Sequence, residues 1–255
     1  MKAKNSLITW IVLSGLLVLF NSCSHTVKNH DFIVPENHPA TALTIGWYVP
    51  VDVMKQIVGP GFTPKVVHGE DETTVMLYIV KSDEHVLDSV NTGEMRAAFL
   101  VIPVESSRKV LPSDDSRIEN TLACPMTVID QSKQLGDKFN AFGFPTYSGE
   151  ITLNVKQSGD KYQVNATIRE INGSIEIKAM FDKNGEEQKL NSAIFTTKPG
   201  AHSSFYGKEK MTRVKDGKGN LKLDGKNIIS AMQLNNLPYF LILDRNVTWA
   251  FDFVK

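Results

Sequence analysis

Apolar and polar residues alternate along most of this chain with a period of two. Such alternation is typical of half-buried β-strands, because successive side chains of a strand point to opposite faces. The pattern predicts five strands, centred on Leu43–Trp47, Val75–Ile79, Phe99–Ile102, Ile151–Val155 and Tyr162–Ile168. Most of the chain is therefore predicted to form β-sheet.

The clearest turn signal lies between two alternating segments. Asn172-Gly173 separates a segment that begins at Gln163 from one that ends at Phe181. Asn-Gly favours the positive φ angles of a two-residue hairpin turn, so a hairpin is predicted here. One face of its second strand is apolar and should lie in the core, with the other face in water: Ile175, Ile177, Ala179 and Phe181.

Helical periodicity is sparse. Pro50–Val58 carries an apolar face that includes Val53 and Met54, begins with proline and stops before Gly59-Pro60. A weaker helical pattern runs from Thr127 to Lys138. With 17 glycines and 11 prolines as well, the chain is predicted to have a mainly β (α+β) fold. We expect a curved antiparallel sheet or closed barrel with two or three short helices.

The first 22 residues are interpreted as a lipoprotein signal peptide. Lys2 and Lys4 precede an apolar run, Leu7–Phe20, that is shorter than the ~20 apolar residues of a spanning helix. Cys23 follows and resembles the acylated cysteine of a bacterial lipobox. We expect lipidation at Cys23 and a bacterial cell envelope location, at the outer membrane on its periplasmic or surface face. A cleaved, soluble secreted protein is the alternative.

The segment of residues 23–41 is polar and includes Pro35, Pro39 and three histidines. This composition predicts a flexible tether between the membrane and the folded part. The histidine spacing matches no helical or hairpin metal site, so no metal is expected. No internal repeat appears, and residues 42–255 are predicted to form one β domain.

The composition describes an ordinary globular protein: 255 residues, 28 basic and 28 acidic side chains, and 42% hydrophobic residues. It excludes a disordered chain. The segment Lys208–Lys226 is rich in lysine but is interrupted by acidic residues, so nucleic-acid binding is not expected. Beside Cys23 the chain has one further cysteine, Cys124, which we expect to pack rather than to react.

Four segments, in order, resemble the acetoacetate decarboxylase family. They are GWYVPVDVMKQIVGPGF (46–62), MRAAFLVIPV (95–104), GDKFNAFGFPTYSGE (136–150) and LNNLP (234–238). The resemblance implies that family's fold, a closed, cone-like antiparallel barrel around an apolar pocket. The strand pattern points independently to the same kind of architecture.

The resemblance also implies that the family's chemistry is lost here. Its decarboxylases use a lysine that forms a Schiff base with a ketone. At the matching position this chain has Thr146, followed by Tyr147 in place of a basic neighbour, and residues 139–155 contain no lysine. Ala97 matches the family's acidic pocket residue, and the first arginine, Arg96, lies beyond the strand that carries the family's arginine. No catalytic residue and no cofactor are assigned.

Five polar or aromatic residues fall nearest the family's pocket segments and are the candidate ligand-binding residues: Tyr48, Tyr78, Arg96, Thr146 and Tyr147. Arg96 has the donor geometry to clamp a carboxylate. Alternation instead places Arg96 on the face opposite Ala97 and Phe99, where pairing with Glu94 is the simpler interpretation. Tyr48 and Tyr147 also fit a packing role.

These observations predict a membrane-anchored lipoprotein whose barrel binds a small apolar or keto-acid-like molecule without Schiff-base decarboxylation. One alternative is an enzyme that uses other residues of the same pocket, such as Tyr147 or a lysine from a distant segment. It would be a carbon-carbon or carbon-oxygen lyase of this superfamily, or an isomerase. The other alternative is an envelope protein that binds a partner and has a filled core. The sequence indicates no oligomeric state.

Overall fold

The computed structural model of the protein describes residues 30–106, 118–170, 173–199, 201, 203–225 and 238–254. The predicted signal peptide and Cys23 lie outside these residues, as do Asn172 and the first four residues of the LNNLP segment. No helix within the described ranges is both long enough and apolar enough to span a bilayer.

The described residues form mostly strands, with two short helices. In chain order the elements are β1 (Phe32–Val34), β2 (Ala40–Pro50), α1 (Val51–Val58), β3 (Phe62–Pro64), β4 (Glu72–Leu87), β5 (Val90–Ser106), β6 (Asn120–Asp130), α2 (Lys133–Ala141), β7 (Thr146–Ser148), β8 (Glu150–Ser158), β9 (Lys161–Glu170), β10 (Gly173–Asp182), β11 (Glu186–Thr196), β12 (Ser204–Val214), β13 (Lys218–Gly225) and β14 (Phe240–Val254). The predicted mainly β fold with short helices is confirmed, and each of the five strands predicted from alternation is present.

The larger sheet closes on itself. Its strands follow the order β4, β2, β14, β12, β11, β6 and β5, and β5 pairs again with β4. Each neighbouring pair is antiparallel except β11 and β6, which run parallel. The predicted closed barrel is therefore confirmed, with this parallel pairing as a correction to the expectation of antiparallel strands throughout. Closure leaves these strands without a free edge along the ring.

A second, four-stranded sheet packs against the outside of the barrel, in the order β13, β10, β9 and β8. The core between the two sheets combines Ile151, Ile168 and Ile177 of the smaller sheet with Leu77 and Leu100 of the barrel. All five side chains are buried. The barrel wall thus carries apolar side chains on both faces, one set toward this outer core and the other toward its interior.

The predicted hairpin is present as β9 and β10, but its turn is displaced. Glu170 pairs with Gly173, whereas a turn at Asn172-Gly173 would pair Ile171 with Ser174. The register therefore differs from the predicted one by two residues. An even shift keeps every side chain on its face. The predicted apolar face of β10 is accordingly buried throughout.

Helix α1 spans Val51–Val58, directly after Pro50, as the sequence predicts. Met54 and Val58 are fully buried and anchor the helix in the outer core. Val53 was expected on the same apolar face, but it is 41% exposed. The buried face of this short helix is therefore narrower than the run of apolar residues suggests.

The second predicted helix, over Thr127–Lys138, begins later than expected. Residues 127–130 continue strand β6, and α2 begins only at Lys133. Gln131 adopts a positive φ of 63° between the two elements. The Ser132 hydroxyl then caps the helix by accepting a hydrogen bond from the Leu135 N–H at 3.3 Å. Strand pairing of β6 with β5 overrides the weak helical pattern.

The fold also reaches into the segment predicted as a tether. β1 lies within residues 23–41, and β2 begins at Ala40. Phe32 and Val34 are each 1% exposed and belong to the interior core of the barrel. The predicted tether therefore extends too far toward the C-terminus. The sequence does not reveal β1, because a strand of three residues is too short to show clear alternation.

His85 links the β4–β5 hairpin to the start of α2 and is fully buried. Its Nδ1 lies 2.8 Å from the Gly93 carbonyl oxygen. Its Nε2 lies 2.6 Å from the Thr92 hydroxyl and 3.2 Å from the Ser132 hydroxyl. Burial lowers the pKa of His85 from its ordinary value of 6.5, although the hydrogen bond to Gly93 acts in the opposite direction.

This environment predicts an acid-sensitive fold. Because the pKa of His85 is lower in the folded state, its stabilising effect is complete above pH 6.5 and is lost as the pH falls through the folded value. We expect the urea midpoint of the wild-type protein to fall on acidification more steeply than that of His85→Gln. Equal pH dependence in the two proteins would contradict this prediction.

Candidate functional site

The barrel contains a cavity of about 380 Å³ with a mostly apolar wall. This volume lies in the range of small-molecule sites in proteins. Six aromatic side chains line the cavity: Phe32, Tyr78, Phe99, Phe205, Trp249 and Phe251. The wall also includes a smaller set of polar and charged residues: Thr44, Lys65, Asn120, Thr121, Ser192, Glu209 and Arg213.

Strand register brings these side chains together. Tyr78 on β4 lies between Thr44 on β2 and Phe99 on β5. Glu209 on β12 lies opposite Trp249 on β14. Cross-strand neighbours project from the same face of a sheet, so each row points into the barrel together. The rings of Tyr78 and Trp249 are 6.0 Å apart, centroid to centroid, which places both rows on one wall.

A buried ion pair forms part of this wall. Arg213 and Asp244 are partners across β12 and β14. The Arg213 Nε lies 2.8 Å from Oδ1 of Asp244, and Nη2 lies 2.9 Å from Oδ2. Asp244 is fully buried, and the Arg213 side chain is 19% exposed. Burial alone would lower the pKa of Arg213, but the bonds and charge of Asp244 outweigh it, so the pKa is raised.

A β-bulge in β14 aligns this ion pair with the aromatic wall. The register shifts between Asp244 and Val247, and Asn246 adopts a positive φ of 53°. The extra residue reverses the alternation of β14. Ile242 and Asp244 therefore face the barrel interior before the bulge, and Trp249 does so after it. Without the bulge, Asp244 and Trp249 would lie on opposite faces.

Glu209 is the acidic residue of the cavity wall. It is partly buried, and it lines the cavity. Burial raises the pKa of Glu209. A hydrogen bond from Ser192, the charge of Arg213 and the nearby Trp249 indole N–H lower it, and the charge of Asp244 raises it further. The net effect favours the protonated carboxyl group more than in an ordinary glutamate.

Two polar atoms of the wall are buried without a hydrogen-bond partner among the described residues: the Tyr78 hydroxyl and the Trp249 indole Nε1. The Trp249 N–H lies near the Glu209 carboxyl group and lowers its pKa, but it forms no hydrogen bond of ordinary geometry among the described residues. Burial raises the pKa of Tyr78 well above its ordinary value, and the charges of Asp244 and Glu209 add to this effect. The Tyr78 hydroxyl is therefore protonated, so both groups are available as donors.

Lys65 also lines the cavity. It follows β3, and its backbone N–H donates to the Pro103 carbonyl oxygen at 2.9 Å. The segment lies far in sequence from Thr146, where the family resemblance places the Schiff-base lysine. The presence of Lys65 at this cavity therefore does not alter the prediction that the chain lacks a lysine at the family's Schiff-base position.

The five predicted ligand-binding residues are dispersed in the structure, and only Tyr78 lines the cavity. Tyr48 lies elsewhere, stacked on His68 at 4.4 Å and packed on Tyr239 at 4.1 Å, centroid to centroid. The Thr146 hydroxyl donates to the Phe144 carbonyl oxygen at 3.0 Å. Thr146 and its exposed neighbour Tyr147 both lie in the short strand β7, which pairs with β6.

Arg96 has the structural role that its alternation indicates. Its Nη2 lies 2.6 Å from the Glu94 carboxylate, and its Nη1 lies 3.8 Å from that of Asp130. Nη1 also donates to the Ile151 carbonyl oxygen at 3.2 Å. Ala97, the next residue, is buried in the interior core. Arg96 therefore joins the outside of the barrel to the smaller sheet and does not reach the cavity.

Sequence analysis missed four residues of the cavity wall and its ion pair: Glu209, Arg213, Asp244 and Trp249. The lysine-rich segment that includes the first two is considered in the sequence analysis only as a nucleic-acid-binding stripe, which its acidic residues argue against. Its one available signal was the alternation of β12, in which Lys208 and Lys210 lie on the opposite face to Glu209. Nothing local indicates that the face carrying Glu209 is the buried one.

Two further residues with potentially reactive side chains, His68 and Cys124, have structural roles. His68 contacts the Glu72 carboxylate at 2.7 Å, and no group of three or more described histidine, cysteine, aspartate or glutamate side chains is arranged to hold a metal ion. Cys124 is fully buried. Burial raises the pKa of its thiol to about 11, against opposing hydrogen bonds to Thr127 and Met126. Cys124 is therefore a packing residue.

No family model and no curated protein matches this sequence. Several solved structures are similar to it, including the following two. An acetoacetate decarboxylase from Legionella pneumophila is 11% identical, with a TM-score of 0.54 over 93% of this chain and 95% of that one. An acetoacetate decarboxylase-like enzyme from Sphingomonas wittichii RW1 is 8% identical, with a TM-score of 0.51 over 88% and 91%. The chain thus has an acetoacetate decarboxylase-like fold.

Proposed function

We propose that this protein binds a small molecule in the barrel cavity without Schiff-base decarboxylation. The molecule has an apolar body and at least one hydrogen-bond-accepting oxygen, as a ketone or keto acid does. A lipid on Cys23 would hold the barrel at the bacterial cell envelope, and this part of the proposal is supported by the N-terminal sequence alone. The observation that carries the ligand proposal is the pair of unpartnered donors on Tyr78 and Trp249.

Hydrogen-bond donors without a partner lower the stability of a protein when they are buried. Each buried donor without an acceptor destabilises a fold by about 1–3 kcal/mol. The Tyr78 and Trp249 rings are 6.0 Å apart, centroid to centroid, on one wall of the cavity. A ligand oxygen between them would accept from either donor, and the surrounding aromatic rings would contact an apolar body. The wall therefore combines shape and polarity suited to a carbonyl compound.

The Schiff-base route of the family has no counterpart at the matching position. Thr146 carries a hydroxyl, which cannot form an imine, and its hydroxyl is bonded to the backbone. The proposal of a binding protein rests on this substitution together with the dispersed positions of Arg96 and Tyr147, neither of which lines the cavity.

One observation favours a second candidate function, an enzyme of the lyase class. Lys65 lines the same cavity as the unpartnered donors. An amine in this position could attack a bound carbonyl carbon, as the alternative of a lysine from a distant segment requires. This candidate differs from the first in one chemical property, the formation of a covalent adduct that borohydride can trap.

Ligand binding is tested by thermal unfolding and calorimetry with a panel of methyl ketones and 2-oxo acids of about four to ten carbon atoms. We expect at least one compound to stabilise the wild-type protein, by about 2.7 kcal/mol at 100 times its Kd. Tyr78→Phe and Trp249→Phe should each weaken binding by about 2- to 10-fold, because each loses one hydrogen bond. The control Tyr147→Phe, at an exposed position, should bind as the wild type does.

Borohydride added to the same mixtures separates the two candidate functions. The binding proposal expects no stable mass increase on any lysine. A trapped adduct on the Lys65 peptide, absent from Lys65→Ala, would instead establish imine chemistry at the cavity. If no compound of the panel raises the melting temperature, the ligand proposal is wrong and a protein that binds a partner through its surface is favoured.

A further inference from the structure

We propose that Glu209 determines which charge the cavity accepts: a ligand with a carboxylate binds only while Glu209 carries a proton, whereas a neutral ketone binds in either state. This inference rests on the proposed function, because it specifies the chemical class of the same ligand. Glu209 acts here as a specificity-determining residue, through its charge and its position in the cavity wall.

Among the described residues, the charged and titratable groups that interact with Glu209 come from three strands. Arg213 lies on the same strand, Asp244 on β14 and Tyr78 on β4. Two polar side chains that do not titrate, Ser192 of β11 and Trp249 of β14, also lie near it. Lys65, on the segment after β3, lines the same cavity.

The positive charge of Arg213 is already paired with Asp244. Both oxygens of Asp244 are bound by Arg213, at 2.8 and 2.9 Å. The Nε–Nη2 edge of the guanidinium is thus occupied, and the pair is neutral as a unit. Among the described residues of the wall, Lys65 is the other cation. One lysine can balance one carboxylate, either Glu209 or the carboxylate of a ligand.

A ligand carboxylate beside ionised Glu209 would leave one negative charge uncompensated in a poorly solvated cavity. Such like-charge pairs are resolved by protonation of one member. Glu209 is the carboxylate that takes up the proton, because burial already raises its pKa. With Glu209 neutral, Lys65 balances the ligand, and the Glu209 O–H becomes a further donor for a ligand oxygen.

An organic cation is the competing occupant, since aromatic rings around an ionised glutamate also suit an ammonium group. The unpartnered Trp249 indole N–H argues against it, because this group can donate a hydrogen bond but cannot accept one. Ser192 likewise directs a donor to the carboxyl group of Glu209. A ligand rich in acceptors fits these donors better.

The test compares three compounds of one shape. Benzylacetone and benzylpyruvate differ only in a methyl group replaced by a carboxylate, and the primary amine made from benzylacetone supplies the cation. Kd values are measured by calorimetry between about pH 5 and pH 9. Above the pKa of Glu209, the Kd of benzylpyruvate should increase by up to about tenfold for each pH unit, and that of benzylacetone by less than about twofold.

Two variants locate the effect. In Glu209→Gln the pH dependence of benzylpyruvate binding should disappear, and the Kd should stay near the low-pH value of the wild type. The control Glu187→Gln removes an exposed carboxylate of β11 outside this cavity and should keep the wild-type profile. Calorimetry in two buffers of different ionisation enthalpy should also show proton uptake with benzylpyruvate but not with benzylacetone.

The outcomes separate this inference from the proposed function. If benzylacetone binds but benzylpyruvate shows a flat pH profile, or if Glu209→Gln keeps the slope, the role of Glu209 is wrong and ligand binding stands. If the amine binds most tightly and more so at high pH, the cavity selects cations and the inference is wrong. Loss of binding for both carbonyl compounds at every pH, together with a negative ketone and keto-acid panel, would overturn the proposed function itself.

Discussion

Replacement of Arg213 by methionine should lower the free energy of unfolding by about 3–5 kcal/mol. Methionine keeps much of the apolar contact of the arginine stem but leaves the carboxylate of Asp244 without its partner. Asp244 is fully buried, so water cannot replace the lost bonds at 2.8 and 2.9 Å. Urea denaturation of Arg213→Met, followed by far-UV circular dichroism at neutral pH, measures the change.

Two controls make this result specific to the buried charge. The double variant Arg213→Met/Asp244→Asn should be more stable than Arg213→Met, because the second change removes the unpaired carboxylate. Asp137→Asn breaks the exposed ion pair with Lys133 and should change stability by less than about 0.5 kcal/mol. A loss below about 1 kcal/mol for Arg213→Met would show that the pair contributes little and that water solvates Asp244 through the cavity.

Phe139→Ala should destabilise the protein to a similar extent, by about 3–5 kcal/mol. Phe139 is, with Leu135, one of two fully buried residues through which α2 enters the interior core. Its ring contacts four other rings at centroid distances of 5.2–5.7 Å: Phe99, Phe144, Phe205 and Phe253. Truncation removes these contacts and leaves a void next to the aromatic wall of the cavity. Chemical denaturation of the variant measures the loss.

The matched control for this prediction is Tyr147→Ala. Tyr147 is also an aromatic residue, close to α2 in sequence, but it is 49% exposed. We expect its truncation to change stability by less than about 0.5 kcal/mol. If the two variants were equally stable, α2 would not be anchored through Phe139, and the aromatic contacts around it would not hold the interior core together.

Several features of the fold were predictable because they depend on local pattern. Alternation over five to seven residues located the strands around Leu43 and Val75, and the apolar face of β10. Proline before and glycine after an apolar stretch located α1. The weak helix from Thr127 was misplaced because pairing of β6 with β5, a contact between distant segments, decided those residues.

The candidate site was predictable only in part, and Tyr78 shows why. Its alternation placed it on one face of β4, but the sequence holds no sign of which face becomes the interior of a closed barrel. Trp249 reaches the same wall only because a bulge at Asn246 reverses the alternation of β14. A one-residue irregularity of this kind changes the face of every later residue in the strand.

The sequence by itself determined the strands, the first helix and the mainly β class. These depend on residue types and on spacings of a few residues. Only the tertiary structure decided that Glu209, the Arg213–Asp244 pair and Lys65 surround one cavity, and that Arg96 does not. The physical reason is that a closed sheet joins residues far apart in sequence through register and bulges, which are selected by packing of the whole barrel.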